Sequence, residues 1–149
     1  MAFERFTGDA RAIVRAASQE EARTQGTGTV QAEHLLLALS VHPALQHLGL
    51  DHDRIEQALT QEEERSLASV GIASGDFDGP SASARPHRTR LATSAKLALE
   101  RALLAARRRQ ARRIEVSHLL IGVLSAGQGR VPRALEIAGI DLEQLRASL

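Results

Sequence analysis

The sequence predicts an all-α fold of eight helices, arranged as two four-helix repeats with pseudo-twofold symmetry. The first observation is composition. Of the 149 residues 43% are hydrophobic, but there are three Phe and no Trp or Tyr, while Ala and Leu are abundant. Ala and Leu favour helices, whereas strands are enriched in β-branched and aromatic residues. The second observation is that the same order of motifs occurs twice along the chain, which is typical of a repeat architecture.

Two pairs of motifs align the repeats. Glu33 to Leu36 recurs 84 positions later as Ser117 to Leu120, and Leu48 to Asp51 recurs 90 positions later as Ala138 to Asp141. The growing spacing indicates that the first repeat lacks about six residues of the loop corresponding to 126–131. Each repeat alone, at roughly 65–70 residues, is small for independent stability, so we expect the two to pack together.

The first repeat has helical spacing and matching start and stop signals. Its first helix carries a buried stripe formed by Ala10, Ile13, Val14 and Ala17. We predict that Gly26 to Gly28 ends this helix and that Thr29 caps the next one. Pro43 opens a short third helix, because a residue without an N–H is tolerated in the first turn. Gly49 ends the third helix and Asp51 caps the fourth.

The second repeat follows the same plan. Its first helix carries the stripe Leu91, Ala95, Ala98, Leu99, Ala102 and Ala106. A short apolar helix follows from Val116 to Val123. Pro132 stands in the first turn of the next helix and Gly139 ends it. Asp141 and Gln144 form a pair that resembles a capping box at the start of the last helix.

The segment between the repeats, Gly71 to Arg88, is rich in Gly, Ser, Pro and Asp. Such a composition buries too little apolar surface to order itself, which indicates a linker. We therefore predict one domain, with repeat one at 1–69, a linker at 70–88 and repeat two at 89–149.

Charge and cysteine content narrow the functional classes. Nineteen basic and eighteen acidic residues give a net charge of +1, which indicates no particular partner. Without cysteine the chain has no disulfide framework and no thiolate metal site. The apolar stretch Leu35 to Leu39 is far shorter than the ~20 residues of a membrane span, and the N-terminus lacks the apolar run of a signal peptide. We expect a cytoplasmic protein.

Three segments resemble the Clp N-terminal domain of ClpC- and ClpA-type unfoldases, in which two such repeats occur. They are FERFT (Phe3 to Thr7), AEHLLLAL (Ala32 to Leu39) and VSHLLIGVLSAGQGRVPRALEIAGIDLEQLR (Val116 to Arg146). The resemblance implies an eight-helix fold that docks adaptors and receives substrates before ATPase rings unfold them. No G-x-x-x-x-G-K-[ST] phosphate loop occurs in the chain. We therefore expect a stand-alone recognition domain without ATPase modules.

The resemblance also implies a role for Glu33. In some family members a Glu directly before the His of each repeat receives phosphoarginine, and Ser117 stands at that place in the second repeat. A carboxylate suits the guanidinium, while helix N-terminal amides suit the phosphoryl oxygens. The alternative is that Glu33 is a first-turn glutamate favoured by the helix dipole.

His34 and His118 occupy matched positions in the two repeats. A metal site needs three or four clustered ligands, and no His or Cys stands at i, i+4 spacing to either. We expect these two histidines to form structural hydrogen bonds at the helix start, and we predict no metal or cofactor. His42, His47 and His52 lie around the short loop and are expected to be solvated.

The N-terminal segment carries two of the three aromatic residues. In the family the segment around the first Phe borders a surface that adaptors and small cyclic peptides use. The resemblance therefore implies a binding edge at Phe3, Arg5 and Thr7. The alternative is that Phe3 and Phe6 pin the segment onto the bundle.

The strongest competing signal is a cluster of five arginines, Arg107, Arg108, Arg109, Arg112 and Arg113, termed the basic patch below. Such a cluster can contact nucleic-acid phosphates. Alternatively, the cations complement the negative end of the helix dipole. No aromatic residues for base stacking are interleaved with them. An acidic or phosphorylated protein would suit the same patch.

Catalysis is not expected. The serines at positions 18, 40, 117 and 125 lack the G-x-S-x-G context of a nucleophile elbow. The first hypothesis is a non-enzymatic interaction module of regulated proteolysis, acting as an adaptor, a decoy or a sequestering protein for adaptors or marked substrates. The second is a nucleic-acid-binding or regulatory protein that uses the basic patch. The third is a subunit of an ATPase ring that lacks its own N-terminal domain.

Overall fold

The computed structural model describes residues 3–71 and 90–149. The first repeat contains α1 (Gly8–Thr24), α2 (Ala32–Ser40) and α3 (His52–Ser69), with 3₁₀ helices at Phe3–Arg5 and Pro43–Leu48. The second contains α4 (Thr93–Arg108), α5 (Val116–Leu124), α6 (Arg130–Ile137) and α7 (Leu142–Ala147). Two short strands, β1 (Thr29–Val30) and β2 (Arg90–Leu91), pair in parallel.

The prediction of an all-α fold is confirmed, and the predicted helix ends are largely correct. The third helix of the first repeat is the 3₁₀ helix that begins at Pro43. Gly49 ends it with a φ of 71°, and Gly139 follows α6 with a φ of 74°, the left-handed region that glycine favours. Asp51 caps α3 by accepting a hydrogen bond from the Arg54 amide at 3.1 Å. Asp141 caps α7 in the same way.

Two predictions at the helix starts are wrong: Leu91, predicted on the first helix of the second repeat, lies in β2, and Thr29 does not cap α2. Thr29 lies in β1, and the residue that caps α2 is Gln31. Thr29 is extended because the backbone around it binds the other repeat. The amides of Arg90 and Ala92 donate to the carbonyls of Gly28 and Val30, each at 2.8 Å. A long-range pairing of this kind leaves no local signal in the sequence.

Backbone pairing between the repeats shows the pseudo-twofold symmetry. Val30 of β1 pairs with Leu91 of β2, and a second parallel bridge joins Phe6 to Ile114. In both cases the segment before the first helix of one repeat lies beside the segment before the second helix of the other. The starts of α1 and α5 are therefore neighbours, as are the starts of α4 and α2.

One hydrophobic core runs through both repeats. The pairs α1–α2 and α4–α5 pack within the repeats, and α3 packs on α6 between them. Gly122 permits the close approach of α5 to α4, because a Cβ there would collide with the Ala98 carbonyl oxygen and lie 2.8 Å from the Ala102 nitrogen. Phe6 is fully buried and anchors the N-terminal segment in this core.

The predicted linker falls mostly on residues 72–89, which lie outside the described residues. The division into 1–69, 70–88 and 89–149 stays a prediction. Within the described ranges, no helix is both long and apolar enough to cross a membrane.

Candidate functional site

Glu33 lies in the first turn of α2 and is buried, with 5% of its side chain exposed. Its Oε1 accepts a hydrogen bond from Nη1 of Arg130 at 2.9 Å. Arg130 begins α6 in the second repeat, so this ion pair connects the two repeats. Glu33 therefore has a specific partner in the second repeat in addition to its place in the first turn of α2.

Arg130 also binds two residues of α3. Its Nε donates to Oε2 of Glu62 at 2.9 Å, and its Nη2 donates to the Leu59 carbonyl at 3.1 Å. Glu62 is buried and also accepts from Nε of Arg133 at 2.9 Å and from the hydroxyl of Ser66 at 2.7 Å. Two buried carboxylates of the first repeat are thus held by arginines of the second.

The pKa of Glu62 follows from this network. Burial alone would raise the pKa of the carboxyl, because the charged form loses hydration. Hydrogen bonds from Ser66, Arg133 and Arg130 favour the carboxylate and outweigh burial, so the pKa lies below its ordinary value. Glu62 is therefore ionised at neutral pH and holds both arginines as a charged acceptor.

The two matched histidines make the same contact. Nδ1 of His34 accepts from the Gln31 amide, and Nδ1 of His118 accepts from the Glu115 amide, both at 2.9 Å. In return, the side chains of Gln31 and Glu115 accept from the histidine amides, which completes a capping box at each helix start. Burial lowers the pKa of both histidines. Both are therefore neutral at pH 7, and both stabilise a helix start by accepting a backbone hydrogen bond there.

Two clefts lie where the helix starts of the two repeats meet. The first cleft has a volume of about 440 Å³ and lies between the start of α2, the α4 segment from Ser94 to Arg101 and the loop Gly127 to Arg130. Glu33 lines it, and the Ser94 hydroxyl at its edge accepts from the Ala32 amide at 3.0 Å. Arg101, Arg130 and Arg133 also line this cleft.

The second cleft, also about 440 Å³, lies at the symmetry-related place. Thr7 and Asp9 at the start of α1 face Val116 and Ser117 at the start of α5. The hydroxyl of Thr7 caps α1 by accepting from the Ala10 amide at 3.2 Å. The structure thus brings Thr7 together with Ser117, and Glu33 together with Ser94. It does not bring Glu33 and Ser117 into one site.

Arg5, the next predicted binding residue, lines neither cleft. Phe3 belongs to the first 3₁₀ helix by its backbone, and its side chain lies outside the described part of the structure. Arg5 is exposed, and its carbonyl accepts from the Ile114 amide at 2.7 Å. The side chain that anchors this segment in the bundle is Phe6, which is fully buried and pairs through its backbone with Ile114.

All five arginines of the basic patch are exposed. Arg107 and Arg108 lie in the last turn of α4, where they complement the helix dipole, and Arg109 caps the helix. Arg109 also donates to the Leu149 carbonyl. The patch is a charged surface at one end of the bundle, away from Glu33.

The expectation that His42 and His52 are solvated is wrong, since each side chain is less than one-fifth exposed. Nδ1 of His42 accepts from the Ala44 amide at 3.1 Å, and Nε2 of His52 lies 2.9 Å from Oε1 of Glu20 in α1. His52, Asp53 and Glu56 bring possible metal-ligand atoms within 4.8 Å of one another. Arg23 already binds Glu56 at 2.7 Å, and a helix N-terminus disfavours cations, so we assign no metal there.

Sequence reasoning missed Arg130 and Glu62. Glu62 offered a signal, since it follows Ile55 and Leu59 at helical spacing and so falls on the apolar face of α3. A carboxylate on a buried face requires a partner. The partner's identity depends on the packing of α3 against α6, which no local pattern reveals.

Comparisons with known proteins agree with this architecture. Residues 90–149 match the family model described as the Clp repeat N-terminal domain. Over 98% of its length, the chain is 33% identical to the chaperone protein ClpB of Oceanobacillus iheyensis. It is 31% identical to the negative regulator of genetic competence ClpC/MecB of Bacillus subtilis. The chain belongs to the Clp N-terminal domain family.

The structural match extends over both repeats. The crystal structure of the N-terminal domain of ClpD from Arabidopsis thaliana superposes with a TM-score of 0.71 at 24% identity, covering 99% of this chain and 96% of that one. The chain spans only 17% of the length of the ClpB and ClpC/MecB relatives. Clp N-terminal domains are non-catalytic protein-interaction modules that bind substrates and adaptors.

Proposed function

We propose that this Clp N-terminal domain is a non-enzymatic interaction module that binds adaptors, substrates or phosphoarginine-marked proteins at the first cleft. The observation that carries the proposal is the position of Glu33, a buried carboxylate that lines a cleft together with three arginines. Such a cleft offers both an acceptor for a guanidinium and donors for a phosphoryl group.

Glu33 retains acceptor capacity despite its internal partner. Arg130 binds Oε1, and the ion pairs of the described residues include none at Oε2 of Glu33. We propose that a ligand guanidinium binds Oε2 while Arg130 keeps Oε1. Arg101 and Arg133 line the same cleft and carry the charges that suit phosphoryl oxygens.

The second cleft supports such a ligand less well. Ser117 replaces a carboxylate there, and none of the described residues that line the cleft is Arg or Lys. Its carboxylates are Asp9 and Glu115, beside the histidines His42 and His47, and the carboxylates repel a phosphoryl group. We therefore propose one phosphoarginine site per chain, at Glu33.

Several cellular roles use the same cleft. The domain acts as an adaptor if it delivers bound proteins to a Clp unfoldase, and as a decoy if it withholds adaptors from one. It acts as a recognition subunit if it joins an ATPase ring that lacks an N-terminal domain. In each role the partners are proteins of the Clp system, and no chemical step occurs in this domain.

The proposal is tested by calorimetric titration of the purified chain with phosphoarginine, with arginine and phosphoserine as control ligands. We expect one binding site for phosphoarginine and at least about tenfold weaker binding of either control, equivalent to ~1.4 kcal/mol. Glu33→Gln keeps an acceptor for Arg130 and removes the charge, so we expect it to abolish binding.

The matched control is Glu64→Gln, because Glu64 is an exposed glutamate of α3 that does not line the first cleft. It should bind phosphoarginine as the unchanged chain does. Equal binding by the two variants, or no binding by the unchanged chain, contradicts the assignment of Glu33.

Exposure of all five arginines also keeps nucleic acid as a second candidate ligand, at the basic patch. Several phosphate contacts would make the affinity for a DNA duplex fall steeply with salt. Arg112→Glu combined with Arg113→Glu would then weaken duplex binding without affecting phosphoarginine. An affinity that does not depend on salt, or no binding at all, excludes this candidate.

A further inference from the structure

The outward face of α4 carries leucines and arginines in alternation. Leu97 is 39% exposed and Leu104 is 49% exposed. Arg101 and Arg108 fall on the same face, since the four positions have the spacing i, i+4, i+7 and i+11. These four residues are termed the α4 stripe. The two leucines lie about 10 Å apart along the helix axis, at 1.5 Å rise per residue.

The stripe is not required by the fold. In the first repeat, α1 occupies the place equivalent to α4 and buries a matching apolar face. At the positions of Leu97 and Leu104, however, α1 carries Ala12 and Gln19, both exposed. A helix in this position therefore folds without leucines on its outer face. Packing within the chain does not explain their presence in α4.

Exposed leucines are uncommon in this chain. In the described residues the only other large hydrophobic side chains with such exposure are Val41 and Val70, which lie on different elements. Exposed apolar residues rimmed by polar ones are typical of interaction sites. Neither Arg101 nor Arg108 takes part in the ion pairs of the described residues, so both are available to a partner.

We propose that the α4 stripe docks an acidic amphipathic helix of a partner protein. Apolar side chains of that helix, spaced by one to two turns, pack against Leu97 and Leu104, as in helix-mediated recognition. Its carboxylates pair with Arg101 and Arg108, which outnumber the exposed Glu100 on this face, and this charge complementarity selects an acidic helix over a basic one. Nucleic acid would use the arginines but gives the leucines no apolar contact.

The stripe extends the proposed protein-binding function to a second surface. Leu97 and Arg101 also line the first cleft, so a protein held at Glu33 can continue along α4. The proposal rests on the protein-binding function but not on phosphoarginine, because Leu97, Leu104 and Arg108 are assigned no contact with the mark; only Arg101 is assigned to both ligands.

The test measures binding of the full chain to a synthetic helical peptide of 18 residues, by fluorescence anisotropy. The peptide carries Leu at i, i+4, i+7 and i+11 with Glu between them; a control peptide carries Lys in place of Glu. We expect binding of the Glu peptide only. Leu97→Ser combined with Leu104→Ser should weaken it at least about tenfold.

Matched variants separate the stripe from general surface effects. Val41→Ser combined with Val70→Ser removes comparable exposed apolar area elsewhere and should leave the affinity unchanged. Arg108→Glu should weaken the Glu peptide and strengthen the Lys peptide, a reversal that a purely structural role cannot produce. Glu33→Gln should retain peptide binding, so a failure of the phosphoarginine assignment is distinguishable from a failure here.

Three results would overturn the proposal. The first is no preference between the two peptides. The second is equal loss of affinity in the leucine and valine variants. The third is occupation of the stripe by a second copy of the chain, seen as a dimer in sedimentation that Leu97→Ser with Leu104→Ser converts to a monomer.

Discussion

The two clefts are built on the same backbone but present opposite charge. At both, a capping box with a buried histidine fixes the helix start, and the histidine accepts from the backbone at 2.9 Å in each repeat. The first cleft combines Glu33 with three arginines, whereas the second is lined by Asp9 and Glu115 without Arg or Lys among its described residues. The difference lies in the charged residues that line the two clefts.

This comparison separates residues that fold the domain from residues that select a ligand. Helix caps and apolar stripes recur in both repeats because each repeat must bury the same surface. Among the polar residues at the clefts, Glu33 and Arg130 also stabilise the contact between the repeats, whereas the exposed ones are less constrained and differ between the two clefts. The symmetry of the fold therefore does not extend to its ligands, and we expect the clefts to differ in what they bind.

We expect the greatest loss of stability when the contact that distinguishes the first cleft is removed. Arg130→Ala leaves Glu33 without its cation and removes one of two cations from Glu62. Because both carboxylates are buried, we expect a loss of about 3 kcal/mol in the free energy of unfolding, measured in urea. Arg133→Ala is the control, since that side chain is 55% exposed and should cost about 1 kcal/mol or less. Equal losses would contradict the central role of Arg130.

A smaller loss of stability is expected at Gly122 of α5, where the repeats differ in how closely two helices pack. Gly122→Ala places a Cβ against the α4 backbone, so we expect a loss of about 1–3 kcal/mol despite the better helix propensity of Ala. The matching position of α2 holds Ala38, which is buried. Ala38→Gly should cost about 1 kcal/mol through helix propensity, with a further cavity contribution. If Gly122→Ala unfolds at a higher urea concentration than the unchanged chain, the close approach of α5 to α4 at Gly122 is contradicted.

The smallest effect concerns a feature that the repeats share. Burial lowers the pKa of His34 and His118 in the folded state. The unfolded chain therefore takes up these protons at a higher pH than the folded one, so stability should fall as pH drops below about 6.5. His118→Gln keeps a side chain suited to the capping box and should flatten this decline.

Thermal midpoints between pH 7.5 and 5.5 would check the effect, with His47→Gln as the control because His47 is exposed. If the control flattens the decline as much as His118→Gln does, the buried histidines are not its source.

Much of the fold could be predicted from local patterns. Gly49, Gly139, Asp51 and Asp141 mark helix ends through backbone conformation and caps, which depend on neighbouring residues only. Thr29 was misassigned because its strand partner lies about sixty residues away in the other repeat. The sequence predicted helices well where their ends are decided locally.

The candidate site was predictable only in part. Glu33 could be singled out by its place before a repeated histidine. Its partner Arg130 could not, since the pairing depends on how α6 packs across α2 and α3. Ser94, not Ser117, lines the same cleft as Glu33. This also follows from the pairing between the repeats and could not be predicted from local sequence.

The most direct test of the proposed function is a titration of the ¹⁵N-labelled chain with phosphoarginine, followed by amide chemical shifts. We expect shifts at Ala32, Glu33 and Ser94 around the first cleft. The amides of Thr7 and Ser117 in the second cleft should not move. Shifts confined to the second cleft, or no shifts at either, would contradict the assignment of ligand binding to Glu33.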